Sequence, residues 1–162
     1  LDDLEEKSLL DETIIIIYSD HKNYSSPGLT ERYTPDIRDG LDDLRVPFLI
    51  YHSSFEPDEL DVLSSHYDIT PTILDLLGID LYSAFYVGES LFFDARGDTK
   101  IILSPSTWIT SHNRIMNDAI LSGDDELMIE RQRIEIQDQI RFYHKLFITD
   151  YFKENESRPK EG

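Results

Sequence analysis

The sequence predicts an α/β fold: a parallel sheet with flanking helices, then a small antiparallel carboxyl-terminal subdomain and a long terminal helix. Three observations predict it. An unbroken β-branched run, Thr13–Ile17, continued by Tyr18, lies between Asp11–Glu12 and Asp20–His21, and such runs belong to strands buried on both faces of a helix-covered parallel sheet. Short strand-like pieces punctuated by Gly97–Asp98 and Pro105 fill residues 100–120, as in a small antiparallel sheet. From Asp124 to about Phe152, Ile129, Ile136, Ile140, Tyr143, Leu146 and Phe147 recur at helical spacing among Glu, Arg and Gln, which marks an amphipathic helix.

Composition narrows the function classes. The 162 residues are one domain's length and can bury a core. A formal net charge of −18 argues against nucleic-acid binding, because nothing here would neutralise a phosphate backbone. Such a surface serves solubility. Without cysteine there are no disulfides and no thiolate metal sites. No apolar run approaches the ~20 residues of a membrane helix, so this chain itself is expected to be soluble. It opens at Leu1, and Leu1, Leu4, Leu9 and Leu10 read as the tail of an amphipathic helix. Both features lead us to expect an excised segment or a processed product of a larger fold.

The elements follow in order. The first strand ends in Asp20–His21, where open α/β sheets place their ligands. A carboxylate oxygen beside an imidazole nitrogen suits Zn²⁺ or Mn²⁺, although two polar residues also make an ordinary strand-end turn. Residues 22–43, rich in Ser, Pro, Gly and Asp, read as a long loop leaving the candidate ligands. Val46–Tyr51 is the second buried strand, with Pro47 tolerated near its start and His52 at its end. Ile69, Ile73, Leu74, Leu76 and Leu77 keep helical spacing, with Pro71 in the first turn, Gly78 as C-cap and Asp68 or Thr70 as N-cap. Gly88–Phe92 makes a turn and a short apolar piece. The closing residues 154–162 are polar and expected to fray. The organisation expected is an α/β part over 1–92, a small β subdomain over 93–123, and a closing helix with its tail over 124–162.

Three segments in fixed order carry a family resemblance: TIIIIYSDH, then RVPFLIYH, then SSHYDITPTILDLLGI with a following VGESLF. Together they resemble the carboxyl-terminal third of the sulfatase-type domain of the alkaline phosphatase superfamily, nearest the lipoteichoic-acid-synthase-like phosphoglycerol transferases. The helix pattern His-x-Asp-x-x-Pro-Thr-x-Leu of that branch is matched by His66, Asp68, Pro71, Thr72 and Leu74. The resemblance implies a partial alkaline-phosphatase-like sheet and one divalent cation, manganese first and zinc or magnesium as alternatives. Asp20 and His21 would be metal ligands. A nucleophilic threonine and a further acidic ligand would come from the part of the domain preceding this chain. His66 and His52 are candidates for substrate binding, each set against a plain structural role. Asp68, Glu89 and Ser90 are expected to be structural. Lys22–Asn23 depart from the glycine or tyrosine-glycine that often follows the Asp-His pair.

The resemblance further implies partners and a place: a phosphate- or sulfate-ester substrate, lipid-linked among the options, the rest of the catalytic domain, and a parent anchored to the membrane upstream and facing outside the cytoplasm. This chain alone is expected to be inactive. The competing expectation is a non-catalytic, degenerate sulfatase-like binding or structural module. A free-standing receiver-like domain would need more βα units than two buried strands supply, and those two strands leave an exposed sheet edge.

Overall fold

A β-branched run and a proline-led apolar run, brought side by side, form the sheet that carries the candidate site. The computed structural model describes residues 1–22, 40–80, 86–93, 99–123, 125–151 and 153. Most of the loop expected after His21, and the tail 154–162, lie outside the described residues. The fold mixes helices and sheets in two units, residues 1–62 with 66–92, and residues 63–65 with 93–162.

In the first unit a short helix α1 (Asp2–Glu6) precedes strand β1 (Ile15–Tyr18), followed by β2 (Phe48–Tyr51) and helix α2 (Ile69–Leu76). The two strands pair antiparallel, with Ile15 opposite Tyr51 and Tyr18 opposite Phe48. The expected parallel order is therefore not what these strands adopt. An apolar run reports the environment of side chains, not the direction of the strand. A long connection can return the chain either way, whereas only a short hairpin would have fixed it. Nor are both faces covered: Ile17 is 57% exposed, Tyr18 52% and Leu49 58%. On one face Ile15, Ile17, Leu49 and Tyr51 form an apolar strip, because residues two apart share a face.

Helix α2 ends as its sequence predicts. Gly78 adopts φ +66°, and Ile79 N–H donates to the Leu74 carbonyl at 2.9 Å while Gly78 N–H donates to that of Asp75 at 2.9 Å. This is a Schellman ending, which favours glycine because a Cβ resists that φ. Its beginning differs from expectation. Asp68 stands at the N-cap position without capping the helix; its carboxylate instead accepts the Glu89 N–H at 2.9 Å. Thr72, fully buried, donates to the Asp68 carbonyl at 2.6 Å and accepts the Leu91 N–H at 3.0 Å. Ser90 hydrogen-bonds the Asp75 carboxylate. The motif residues of α2 thus hold the 88–92 turn against the helix.

The second unit is a four-stranded antiparallel meander, β3 (Ile101–Ser104), β4 (Thr107–Ile109), β5 (Arg114–Met116) and β6 (Ala119–Ser122), followed by helix α3 (Glu126–Ile148). Asn117 and Asp118, at φ 50° and 65°, make the two-residue turn between β5 and β6, where both central residues need positive φ. Asp125 caps α3, accepting the Met128 N–H at 3.0 Å. Trp108, Ile115, Ile129 and Ile136 form the core, with Ile102 and Ile140 against it. Asn113, fully buried, donates to Gln132 Oε1 at 2.7 Å and so ties the β4–β5 turn to α3. Phe147, expected on the docking face, is 80% exposed. Strands of three or four residues span roughly 10–13 Å, and a 23-residue helix is roughly 35 Å long, so the sheet cannot cover both ends of α3.

Two predictions follow from the packing. A Cβ on Gly88 would sit 2.3 Å from the Tyr67 carbonyl oxygen, a backbone atom that cannot yield cheaply. Gly88→Ala is expected to cost about 3 kcal/mol, read as a lower urea midpoint for the first unit. In the second unit, the hydrogen bond and charge of Lys100 hold the Glu135 carboxyl below its ordinary 4.5. A depressed carboxyl pKa stabilises the fold above 4.5 and loses that contribution as pH falls through the lower folded value. The pair is part-exposed and screened, so Glu135→Gln should cost only about 0.5 kcal/mol at neutral pH. Thermal melts should show that difference vanishing in acid.

Candidate metal centre

Strand β1 delivers Ser19, Asp20 and His21 at its carboxyl end. Ser19 continues the ladder, its N–H donating to the Pro47 carbonyl at 3.3 Å, and the chain then turns out of the sheet. Asp20 and His21 project there into solvent, their side chains 83% and 60% exposed. His21 Nε2 and Asp20 Oδ1 stand 3.6 Å apart.

The tautomer of His21 follows from its neighbour. Nδ1 lies 2.6 Å from the Lys22 carbonyl oxygen. A carbonyl only accepts, so Nδ1 carries the proton, and in the neutral ring the lone pair is on Nε2, the nitrogen facing Asp20. This is the arrangement that a metal-ligating histidine uses, with its other ring nitrogen donating to a backbone carbonyl. Two donors each roughly 2.1 Å from one cation at a tetrahedral angle stand about 3.4 Å apart, close to the separation found. Asp20 and His21 therefore fit a divalent cation as two of its ligands. Among the described residues, no three His, Asp or Glu side chains converge on such a site.

Three further side chains shape the strand end. His66 Nε2 donates to the Ser19 carbonyl at 2.8 Å, and its ring meets Tyr18 edge to face with centroids 6.3 Å apart. Ser19 Oγ donates to the His21 carbonyl at 2.8 Å. The Lys22 ammonium is paired with the Asp43 carboxylate. His66 is thus brought beside the candidate ligands, with one ring nitrogen engaged by the backbone.

His52 is not brought there. Antiparallel pairing puts the end of β2 beside the start of β1, so His52 sits at the opposite end of the sheet from Asp20. Both its ring nitrogens are used: Nε2 donates to the Asp11 carbonyl at 3.1 Å, and Nδ1 accepts from Ser54 N–H at 3.3 Å. A parallel pair would have placed both strand ends on one edge, which is why the sequence made His52 a candidate. Asp68, Glu89 and Ser90 serve the turn over α2, as described above. Sequence reasoning missed Asp43, because a single acidic residue in an Asp-rich loop has no periodic or spacing signal. Its partner Lys22 was visible as the departure after His21.

Residues 1–79 match the sulfatase family. The chain is 27% identical over 145 residues to lipoteichoic acid synthase from Staphylococcus aureus strains USA300, NCTC 8325 / PS 47 and MRSA252, over 85% of this chain and 22% of each relative. It therefore spans about a fifth of the length of the curated relatives it matches. No solved structure matches. Over residues 1–79 the chain is thus similar to a sulfatase-type domain, and these relatives are of the lipoteichoic acid synthase-like kind.

Proposed function

We propose that this chain supplies the Asp20–His21 half of a divalent-metal site in an enzyme of the phosphoglycerol transferase or sulfatase-like type, acting on phosphate or sulfate esters. The observation that carries the reading is the setting of the His21 ring at an exposed strand end, Nδ1 2.6 Å from the Lys22 carbonyl oxygen and Nε2 3.6 Å from the Asp20 carboxylate. Manganese is the first choice of ion by the family resemblance, with zinc and magnesium as alternatives, since a carboxylate oxygen and an imidazole nitrogen suit all three to differing degrees. Such an ion, when bound, neutralises developing charge on the ester oxygens and lowers the pKa of a hydroxyl nucleophile.

The residues of this chain have distinct tasks in that reading. Asp20 supplies the carboxylate oxygen and His21 the imidazole nitrogen. His66 fixes the backbone at Ser19 and stands close enough to the strand end to meet part of the substrate. The nucleophile and the remaining ligands come from the rest of the catalytic domain, which also covers the apolar strip of β1 and β2. This assignment is supported by the chain's span of 22% of its relatives and by the exposure of Ile17 and Leu49 on that strip. No described helix is long and apolar enough to cross a membrane. In this reading the parent's upstream segment provides the anchor and places the site outside the cytoplasm, and the 162-residue chain alone is inactive.

The test is ester cleavage or transfer by the full-length parent with and without added Mn²⁺. Asp20→Ala and His21→Ala are each expected to lower kcat/KM by about a thousandfold or more, while His52→Ala stays within about threefold. Full activity in the Asp20→Ala and His21→Ala variants, or a parent inactive with every divalent ion, would leave the non-catalytic module as the better account.

A further inference from the structure

We propose that Asp43 is a positioning residue for His21 and acts through Lys22. The consequence for catalysis rests on the reading of His21 as a ligand; the positioning itself does not.

The tautomer of His21 is set by the Lys22 carbonyl, 2.6 Å from Nδ1, so it depends on where residue 22 is held. Lysine is among the residues least often buried, yet the Lys22 side chain is only 22% exposed and its ammonium is paired with Asp43. A part-buried pair is screened less than an exposed one. Asp43 is itself well anchored. It lies in the 3₁₀ turn Asp42–Leu44, closed by Leu44 N–H to the Leu41 carbonyl at 3.1 Å and Arg45 N–H to that of Asp42 at 3.0 Å. Leu41 is 2% exposed and Asp42 7%, so the turn has little freedom. The path runs from a buried turn to a carboxylate, to an ammonium, to the carbonyl of the same lysine, and to the imidazole. On its other side His21 is steadied by Ser19 Oγ donating to its carbonyl at 2.8 Å. The pair does for this chain what a glycine after the Asp-His pair could not: it ties the backbone after His21 to a rigid part of the fold.

The experiment reads the ring nitrogens of the full chain by ¹⁵N NMR, without metal or substrate, at about pH 8.5, above the ordinary histidine range. In the wild type His21 should show protonated Nδ1 and lone-pair Nε2. Asp43→Asn and Asp43→Ala should move His21 to a mixture of tautomers, and the exchanged pair Lys22→Asp with Asp43→Lys should bring back the Nδ1–H form. His52 is the internal control, because its own partners fix the opposite tautomer. An unchanged His21 in both single variants overturns the proposal. So does a parallel change at His52, which would make Asp43 merely structural, and so does failure of the exchanged pair to restore His21. Because the readout needs no catalysis, a negative result here leaves Asp20 and His21 as ligands, and an inactive parent leaves the tautomer result standing.

Discussion

Ile15 faces Tyr51 and Tyr18 faces Phe48, and this pairing decides which side chains can meet. It sets the carboxyl end of β1 beside the amino end of β2. Asp20 and His21 therefore have as neighbours the residues leading into β2, Asp43 among them, while the residues following β2 lie at the far end. His52 then serves Asp11 and Ser54. Were β2 to run the other way, His52 would lie at the same end of the sheet as Asp20 and His21. The Ser19 N–H bond to the Pro47 carbonyl extends the same ladder to the last residue before the candidate ligands, so the site starts from fixed backbone and its side chains project from it.

The two units achieve their cores differently. The second buries Trp108, Ile115, Ile129 and Ile136 between its meander and α3. In the first, Leu41 is the one buried apolar side chain besides Pro71 among the described residues, and order is maintained by polar bonds: Asp68, Thr72 and Asp75 to the 88–92 turn, His66 to Ser19, His52 to Asp11. The strands keep apolar residues on both faces, with Ile17 and Leu49 more than half exposed. Each such side chain would contribute roughly 1.5–3 kcal/mol if fully covered. The first unit is thus shaped for more burial than these residues provide.

Periodicity and end signals made much of this legible. The strand ending in Asp20–His21, the helix stopped at Gly78, the short antiparallel strands and the long helix starting beside Asp125 all follow from local patterns that need no tertiary knowledge. Strand direction did not, because Thr13–Tyr18 reads the same in a parallel or an antiparallel pair. With direction unknown, the neighbours of the site were unknown too, so His52 stayed open between a site role and a structural one, while Asp43, one acidic residue in an Asp-rich loop, carried no signal of its own. Asp68 shows a different limit. Its place before Ile69 marks it as a cap, yet the Glu89 N–H, twenty-one residues on, claims its carboxylate. Local chemistry identifies what a residue can do, and long-range contacts choose among the options.

The most direct measurement is an Mn²⁺ titration of the isotope-labelled chain, followed by paramagnetic broadening of side-chain signals. A net charge of −18 guarantees diffuse attraction of any divalent cation, so the order of broadening matters more than its presence. The account predicts that His21 and Asp20 broaden first, ahead of His52, His112, His144 and the other carboxylates. Broadening that spreads evenly over the acidic surface, or that begins away from the end of β1, would contradict it.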